Sequence, residues 1–319
     1  MLVKYADSFT EYMKTVIKIA TDNEKTVVID CDLGKSFKTS LFRSKFPERS
    51  FNFGVAEQNA FSAAAGLASQ GFNPIVQTFS VFASTRALDQ FRNSICYTNQ
   101  NVLVVGAKSS ISDPSAGATH QSIDDVGILS SIPNLQIYSP ASIVDLIELT
   151  EMLAHVSGPK YMRIENTIVD EISIDPTFKS ESLDFYANRN QYKVLIISTG
   201  SFVETSINVM GILENNYGIP TAVINLKRLK PLDINVLERF ISHELNLIVV
   251  EPLNTTNGLG AQISKMLFES SIYHYITNFT NIGFHDIFTQ SGDMSSLLEL
   301  YQLDERAILR TILKSLGEY

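Results

Sequence analysis

The sequence predicts an α/β protein built from two doubly wound domains with mainly parallel sheets. Three observations carry that expectation. Short runs rich in Val, Ile and Leu alternate with stretches of helical period in both halves, the βαβ pattern of sheets covered on both faces. The 319 residues are enough for two cores. Between the halves, residues 167–190 lose periodicity and are rich in Asp, Glu, Ser and Asn. They read as a linker between a domain at 1–166 and one at 191–319.

Composition narrows the class of function. The chain is 45% hydrophobic and 18% charged, an ordinary globular balance. A net charge of −9 without any Lys/Arg-rich run argues against nucleic acid or an anionic membrane as partner. Cys31 and Cys96 lie in apolar surroundings with no metal-ligand spacing, as free thiols of a reducing compartment do. The first residues lack a signal-peptide core, and no apolar run approaches a bilayer span, so a cytoplasmic location is expected.

In chain order, Phe9, Met13, Val16, Ile17 and Ala20 predict a helix over about 7–24. Residues 26–32 read as a buried strand ending in acids, which puts Asp32 where ligands collect in open α/β sheets. Residues 51–59 then have the form of a short strand, a glycine turn and a helix opening on Glu57. That helix continues small and mostly apolar, and Glu57 is the one ionisable side chain between Arg49 and Arg86. A carboxylate entering an apolar region holds a proton more readily than one in water. This suits an acid that must hold and return a proton near neutrality; supporting the helix N-terminus through its dipole is the purely structural alternative.

A strand over 73–79 leads into a helix running to about residue 97, and a second buried strand spans 101–107. The polar loop 108–121 follows and ends in Gly117-Ala118-Thr119-His120-Gln121, which presents a histidine after a strand end. A strand near 136–138, a helix near 142–155 and a strand near 161–164 complete the first domain. The second carries strands near 193–200, 221–225 and 246–251. Its Asn257-Gly258-Leu259-Gly260 opens a helix but lacks the rest of any nucleotide fingerprint.

Taken together, the chain resembles the C-terminal two thirds of transketolase, and most nearly the separate C-terminal subunit of split transketolases. The likeness is carried by Asp30-Cys31-Asp32-Leu33, Gly54-Val55-Ala56-Glu57-Gln58-Asn59, Thr78-Phe79-Ser80-Val81-Phe82-Ala83, Arg92-Asn93-Ser94-Ile95-Cys96-Tyr97 and Gly117-Ala118-Thr119-His120-Gln121. It continues through Leu229-Lys230-Pro231-Leu232-Asp233, Gly258-Leu259-Gly260 and Phe288-Thr289-Gln290-Ser291-Gly292. The resemblance implies a pyrimidine-binding domain followed by a transketolase C-terminal domain, with thiamine diphosphate as cofactor. Glu57 matches the glutamate that bonds the cofactor's aminopyrimidine, Phe79 and Phe82 the aromatics that hold that ring, and Asp32 a cofactor-side aspartate. His120 matches a histidine near the substrate oxygens.

The resemblance also implies a partner. The family binds the diphosphate through Mg²⁺ held by a Gly-Asp-Gly motif and a later Asn, and no such motif is present in this sequence. A second polypeptide carrying the diphosphate domain is therefore expected, in a heterotetramer or around a homodimer of this chain. Some substrate positions depart from the family. Lys108 stands where a histidine is usual, Ala116 where an aspartate is usual, and Asn166 where an arginine grips a phosphate. Glu251-Pro252-Leu253-Asn254 departs from a usual Glu-Glu-His pattern. Lys108 and the nearby Arg163 are the remaining candidates for binding substrate, and an altered acceptor such as a modified or nucleotide-linked sugar is the resulting expectation. The β subunit of a 2-oxoacid dehydrogenase E1 component, a deoxyxylulose-phosphate synthase and a non-catalytic assembly subunit are the competing readings.

Overall fold

A computed structural model of the chain describes residues 7–241 and 243–318. Residues 1–6, on which the reading about a signal peptide partly rests, lie outside the described residues. Six parallel strands come first: β1 (Thr26–Asp30), β2 (Ser50–Asn52), β3 (Asn73–Phe79), β4 (Leu103–Ala107), β5 (Gln136–Tyr138) and β6 (Lys160–Ile164). Then follow β7 (Phe178–Lys179), β8 (Leu183–Ala187), β9 (Val194–Ser198), β10 (Thr221–Leu226), β11 (Arg228–Lys230), β12 (Leu245–Asn254) and β13 (Ile276–Phe284).

The first sheet has the order β11-β5-β6-β4-β3-β1-β2 and the second β13-β12-β9-β10-β8-β7. Strands β1, β4, β6 and β9 are buried at every position, because helices cover both faces of parallel sheets. Both sheets are parallel except at one edge, where β11 runs against β5 and β7 and β8 run antiparallel beside β10. The expected fold class is what is found, and no helix among the described residues is long and apolar enough to cross a membrane.

Two details depart from the expectation. The stretch read as a linker contains β7 and β8, so part of it belongs to the second sheet. The edge strand β7 is two residues long, with Phe178 partly buried and Lys179 exposed, and β8 beside it, though mostly buried, places Asp184 among its apolar residues, so neither shows a long apolar run. In addition, β11 comes from the second half of the chain yet pairs with β5 of the first sheet.

The site lies where the first sheet reverses direction. Strand β1 lies next to the edge strand β2, with β3 then β4 on its other side, so the connections leaving β1 and β3 diverge and open a crevice at their carboxyl ends. The helix Glu57–Ser69 closes one side through Ala60, Phe61 and Ala64, all fully buried. Phe61 meets Phe91 edge-on, with ring centroids 5.4 Å apart. Small residues there allow the close approach that brings Glu57 against the end of β3.

Candidate active site

Glu57 is the first residue of its helix and is only 1% exposed. Its Oε1 accepts a long hydrogen bond from Thr78 Oγ1 on β3, at 3.4 Å. Its Oε2 accepts one from Arg86 Nη1 at 2.9 Å. The sequence suggested an isolated acid in an apolar site; the structure corrects this, because an arginine 29 positions further on supplies the counter-charge. Arg86 lies on a widened π-type turn in which Ala87 N–H donates to the Phe82 carbonyl. Such turns often mark functional sites. This one also sets Phe82 beneath the guanidinium, whose central carbon lies 4.0 Å from the ring centroid.

Around Phe82 the rings gather. Phe79 and Phe82 stack with centroids 5.8 Å apart and planes 28° apart. The His120 ring meets both edge-on, at 6.1 Å from Phe79 and 5.5 Å from Phe82. These are the offset and T-shaped arrangements that ring quadrupoles favour. His120 Nδ1 is 2.9 Å from Thr119 Oγ1. The loop that carries His120 is fixed by Gln121, whose amide donates to the carbonyls of Pro114 and Gln290 at 3.2 and 3.3 Å. Gly117 lets that loop pass the second domain: it has φ +75°, and a Cβ there would meet Ser291 Oγ at 2.6 Å.

Lys108 follows β4 in the left-handed region, φ 56°, and its Nζ lies 4.7 Å from the Phe79 centroid. Its charge is already engaged by Asp113 Oδ2 at 2.5 Å. Asp32 also has positive φ, 63°, and is exposed beyond the end of β1. Asn52 ties this loop to the next: its Oδ1 accepts from the N–H groups of Asp32 and Gly54, and its Nδ2 donates to Asp32 Oδ1. Between them, Cys31 is a buried free thiol pushed up to about 12, chiefly by burial and further by the neighbouring Glu57 charge. It is therefore a neutral packing group.

Arg163 is placed elsewhere, and its reading as a substrate contact is corrected. Both its side chain and that of Asp125 are fully buried, with Nε 3.1 Å from Asp125 Oδ2 and Nη1 3.8 Å from Glu165 Oε1. Tyr161 donates to the same Asp125 oxygen at 2.8 Å. Glu165 in turn accepts from Ser201 Oγ at 2.6 Å, so this cluster joins the two domains. Strand alternation aims Arg163 into the seam.

On the far side of that seam, Glu251 is pushed up to about 7 by burial. It accepts from the N–H groups of Leu259 and Gly260 at the start of the helix Leu259–Phe268. The Asn257-Gly258-Leu259-Gly260 turn is thus filled by a carboxylate. Among the described residues no three His, Cys, Asp or Glu side chains converge as a metal site.

Sequence reasoning named Glu57, Phe79, Phe82, His120 and Lys108, which ring and charge contacts link directly or through Arg86, and Asp32, which lies on the loop after β1 tied to Asn52. It missed Arg86, Asn52 and Asp113. Arg86 stands four residues after Phe82, one helical turn, and that spacing was the available signal.

Fold and site define a two-domain α/β chain with a carboxylate and paired aromatics at the switch point of its first sheet. Residues 5–169 match the family described as "Transketolase, pyrimidine binding domain" and residues 186–308 the one described as "Transketolase, C-terminal domain". The chain belongs to the transketolase family.

Among its relatives, the "Putative transketolase C-terminal section" of Methanocaldococcus jannaschii is 31% identical over 96% of this chain and 95% of its own length. The 1-deoxy-D-xylulose-5-phosphate synthase of Caldanaerobacter subterraneus subsp. tengcongensis is 32% identical over 98% of this chain, which spans 49% of that protein. A solved chain described as "Split gene transketolase, inactive beta4 tetramer" superposes with TM-score 0.81 at 30% identity, covering 98% of this chain and 99% of its own. Campylobacter jejuni transketolase gives TM-score 0.81 at 19% identity, a likeness of fold, over 98% of this chain and 48% of that one.

Proposed function

We propose that this chain is the pyrimidine-side half of a thiamine-diphosphate-dependent ketol transferase, completed by a second polypeptide that carries the diphosphate and Mg²⁺ site. The observation that carries this reading is the buried carboxylate of Glu57 beside the stacked pair Phe79–Phe82, with His120 on their rim. A planar amino-heterocycle fits that arrangement: a flat apolar clamp and one strong acceptor at the inner end. When bound, thiamine diphosphate supplies the nucleophilic carbon and the electron sink that ketol transfer needs.

The residues of this chain then have separable tasks. Glu57 holds a proton at the ring nitrogen N1′, and its burial keeps water from competing for that hydrogen bond. Phe79 and Phe82 fix the ring plane, and Asp32 stands on the cofactor side. The Thr119 hydroxyl orients His120 through Nδ1, leaving Nε2 to serve a substrate oxygen on which negative charge develops. The distance between Lys108 and Asp113, and the sealed position of Arg163, leave neither cation free for a phosphate. This favours an acceptor other than an ordinary sugar phosphate.

A second reading has a specific observation behind it. The synthase relative at 32% identity aligns over 98% of this chain, so 1-deoxy-D-xylulose 5-phosphate formation is its rival. The test is co-expression with a diphosphate-domain protein encoded beside this chain, followed by hydroxypyruvate consumption with and without thiamine diphosphate and Mg²⁺. Turnover only in the mixture supports the proposal. Formation of 1-deoxy-D-xylulose 5-phosphate, or 2-oxoacid decarboxylation alone, would replace it. A self-associated, inactive isolated chain is expected, in line with the description of the split-gene relative.

A further inference from the structure

Glu57 is nearly sealed, yet the group that seals it is a surface side chain. Arg86 is 42% exposed while Glu57 is 1% exposed, so the guanidinium lies between the carboxylate and solvent. It makes two contacts at once: a hydrogen bond to Glu57 Oε2 at 2.9 Å and a stack on Phe82 at 4.0 Å. A flat, nitrogen-rich group hydrogen-bonded to Glu57 while lying on a phenylalanine ring is also what an aminopyrimidine would be in this site.

From this coincidence we infer that Arg86 is a stand-in for the cofactor's aminopyrimidine ring, occupying the Glu57–Phe82 position until the ring displaces it. The inference rests on the functional reading above and adds a built-in competitor to it. The physical reason is the cost of leaving a buried carboxylate without a partner. Thr78 makes only a 3.4 Å contact to the other oxygen, so without Arg86 the carboxylate would lack a strong donor in the uncomplexed chain. An arginine on an exposed helical turn can satisfy it reversibly, because its long side chain swings to solvent when a better-fitting donor arrives. The same contact lowers the apparent affinity of the isolated chain, since only the fraction of molecules with Arg86 swung away is competent to bind.

The experiment is an NMR titration of the isolated full-length chain with 4-amino-5-hydroxymethyl-2-methylpyrimidine, the ring half alone, up to millimolar concentration. Wild type, Arg86→Ala, Arg86→Lys and Glu57→Gln are compared, with thermal unfolding recorded for each. Arg86→Ala should bind the pyrimidine roughly tenfold more tightly than wild type, if about nine molecules in ten hold the closed contact. Arg86→Lys, which keeps the charge but loses the flat guanidinium, should fall between them.

Equal or weaker binding by folded Arg86→Ala, or no binding by either protein, overturns the inference. Weaker binding would make Arg86 a residue that positions Glu57. The Glu57→Gln arm reports on the functional reading separately: unchanged binding there removes Glu57 as the ring's acceptor, whatever the ratio between Arg86→Ala and wild type.

Discussion

Arg163 and Asp125 form an ion pair at 3.1 Å in which neither side chain has any exposed surface. Breaking a buried pair by removing one partner leaves the other charge uncompensated, which costs about 3–5 kcal/mol. Arg163→Met should therefore lower the stability of the chain by about that amount while leaving the turnover of the folded fraction close to wild type. Urea denaturation with parallel kinetics checks this. A stable variant with a raised KM would return Arg163 to the substrate pocket.

Replacing Glu57 by Gln preserves shape but removes the acceptor for a ring N–H. The complex with the diphosphate-domain protein should still assemble, and turnover should fall by about 10²–10⁴, the range typical of a lost acid–base group. Size-exclusion chromatography of the mixture and single-turnover kinetics separate the two effects. Unchanged turnover would refute the role given to Glu57.

Lys108 is engaged by Asp113, so it contributes little to holding a substrate anion. Lys108→Met should leave the KM of any phosphate-bearing acceptor within about threefold of wild type, well under the tenfold that a lost 1.4 kcal/mol of binding produces. A larger rise confined to phosphorylated acceptors would show that Lys108 leaves Asp113 for the substrate.

Glu251 titrates near 7 in the folded chain against an ordinary glutamate value of 4.5, because burial disfavours its charge. Between those values the folded state holds a proton that the unfolded state has released, so rising pH removes stability over that window and little more above it. Over about 2.5 pH units this amounts to roughly 3 kcal/mol. Subtracting the stability curve of Glu251→Gln from that of wild type should show a decline from pH 4.5 to 7. A flat difference would mean that Glu251 is already ionised there.

The architecture was legible because parallel strands are buried on both faces and so run mostly apolar, as β4, β9 and the middle of β1 do. The strands β7 and β8 were not, since β7 is a two-residue edge and β8 carries Asp184, buried against Lys227, in the middle of a short apolar run. Glu57, Phe79 and Phe82 could be found because each lies inside a motif that the chain shares with its family, Gly54–Asn59 and Thr78–Ala83. Arg86 was harder to find: its contact with Glu57 spans 29 positions, and the one-turn spacing from Phe82 does not by itself say which group the guanidinium reaches. Arg163 misled because strand position alone does not reveal which face a residue takes. In β6 it shares the face of Tyr161 and turns with it toward Asp125.

Strand β11 has a consequence for how such proteins can be cut and recombined. It lies in the second half of the chain but pairs with β5, the strand beside it at that edge of the first sheet. A polypeptide ended between residues 169 and 186, where the two family matches meet, would discard β11 and bare the backbone of β5. The two halves therefore form one heritable block. A break that spares both sheets can fall ahead of the first, but a shuffled gene joined at the apparent boundary would yield a sticky, unfinished first half.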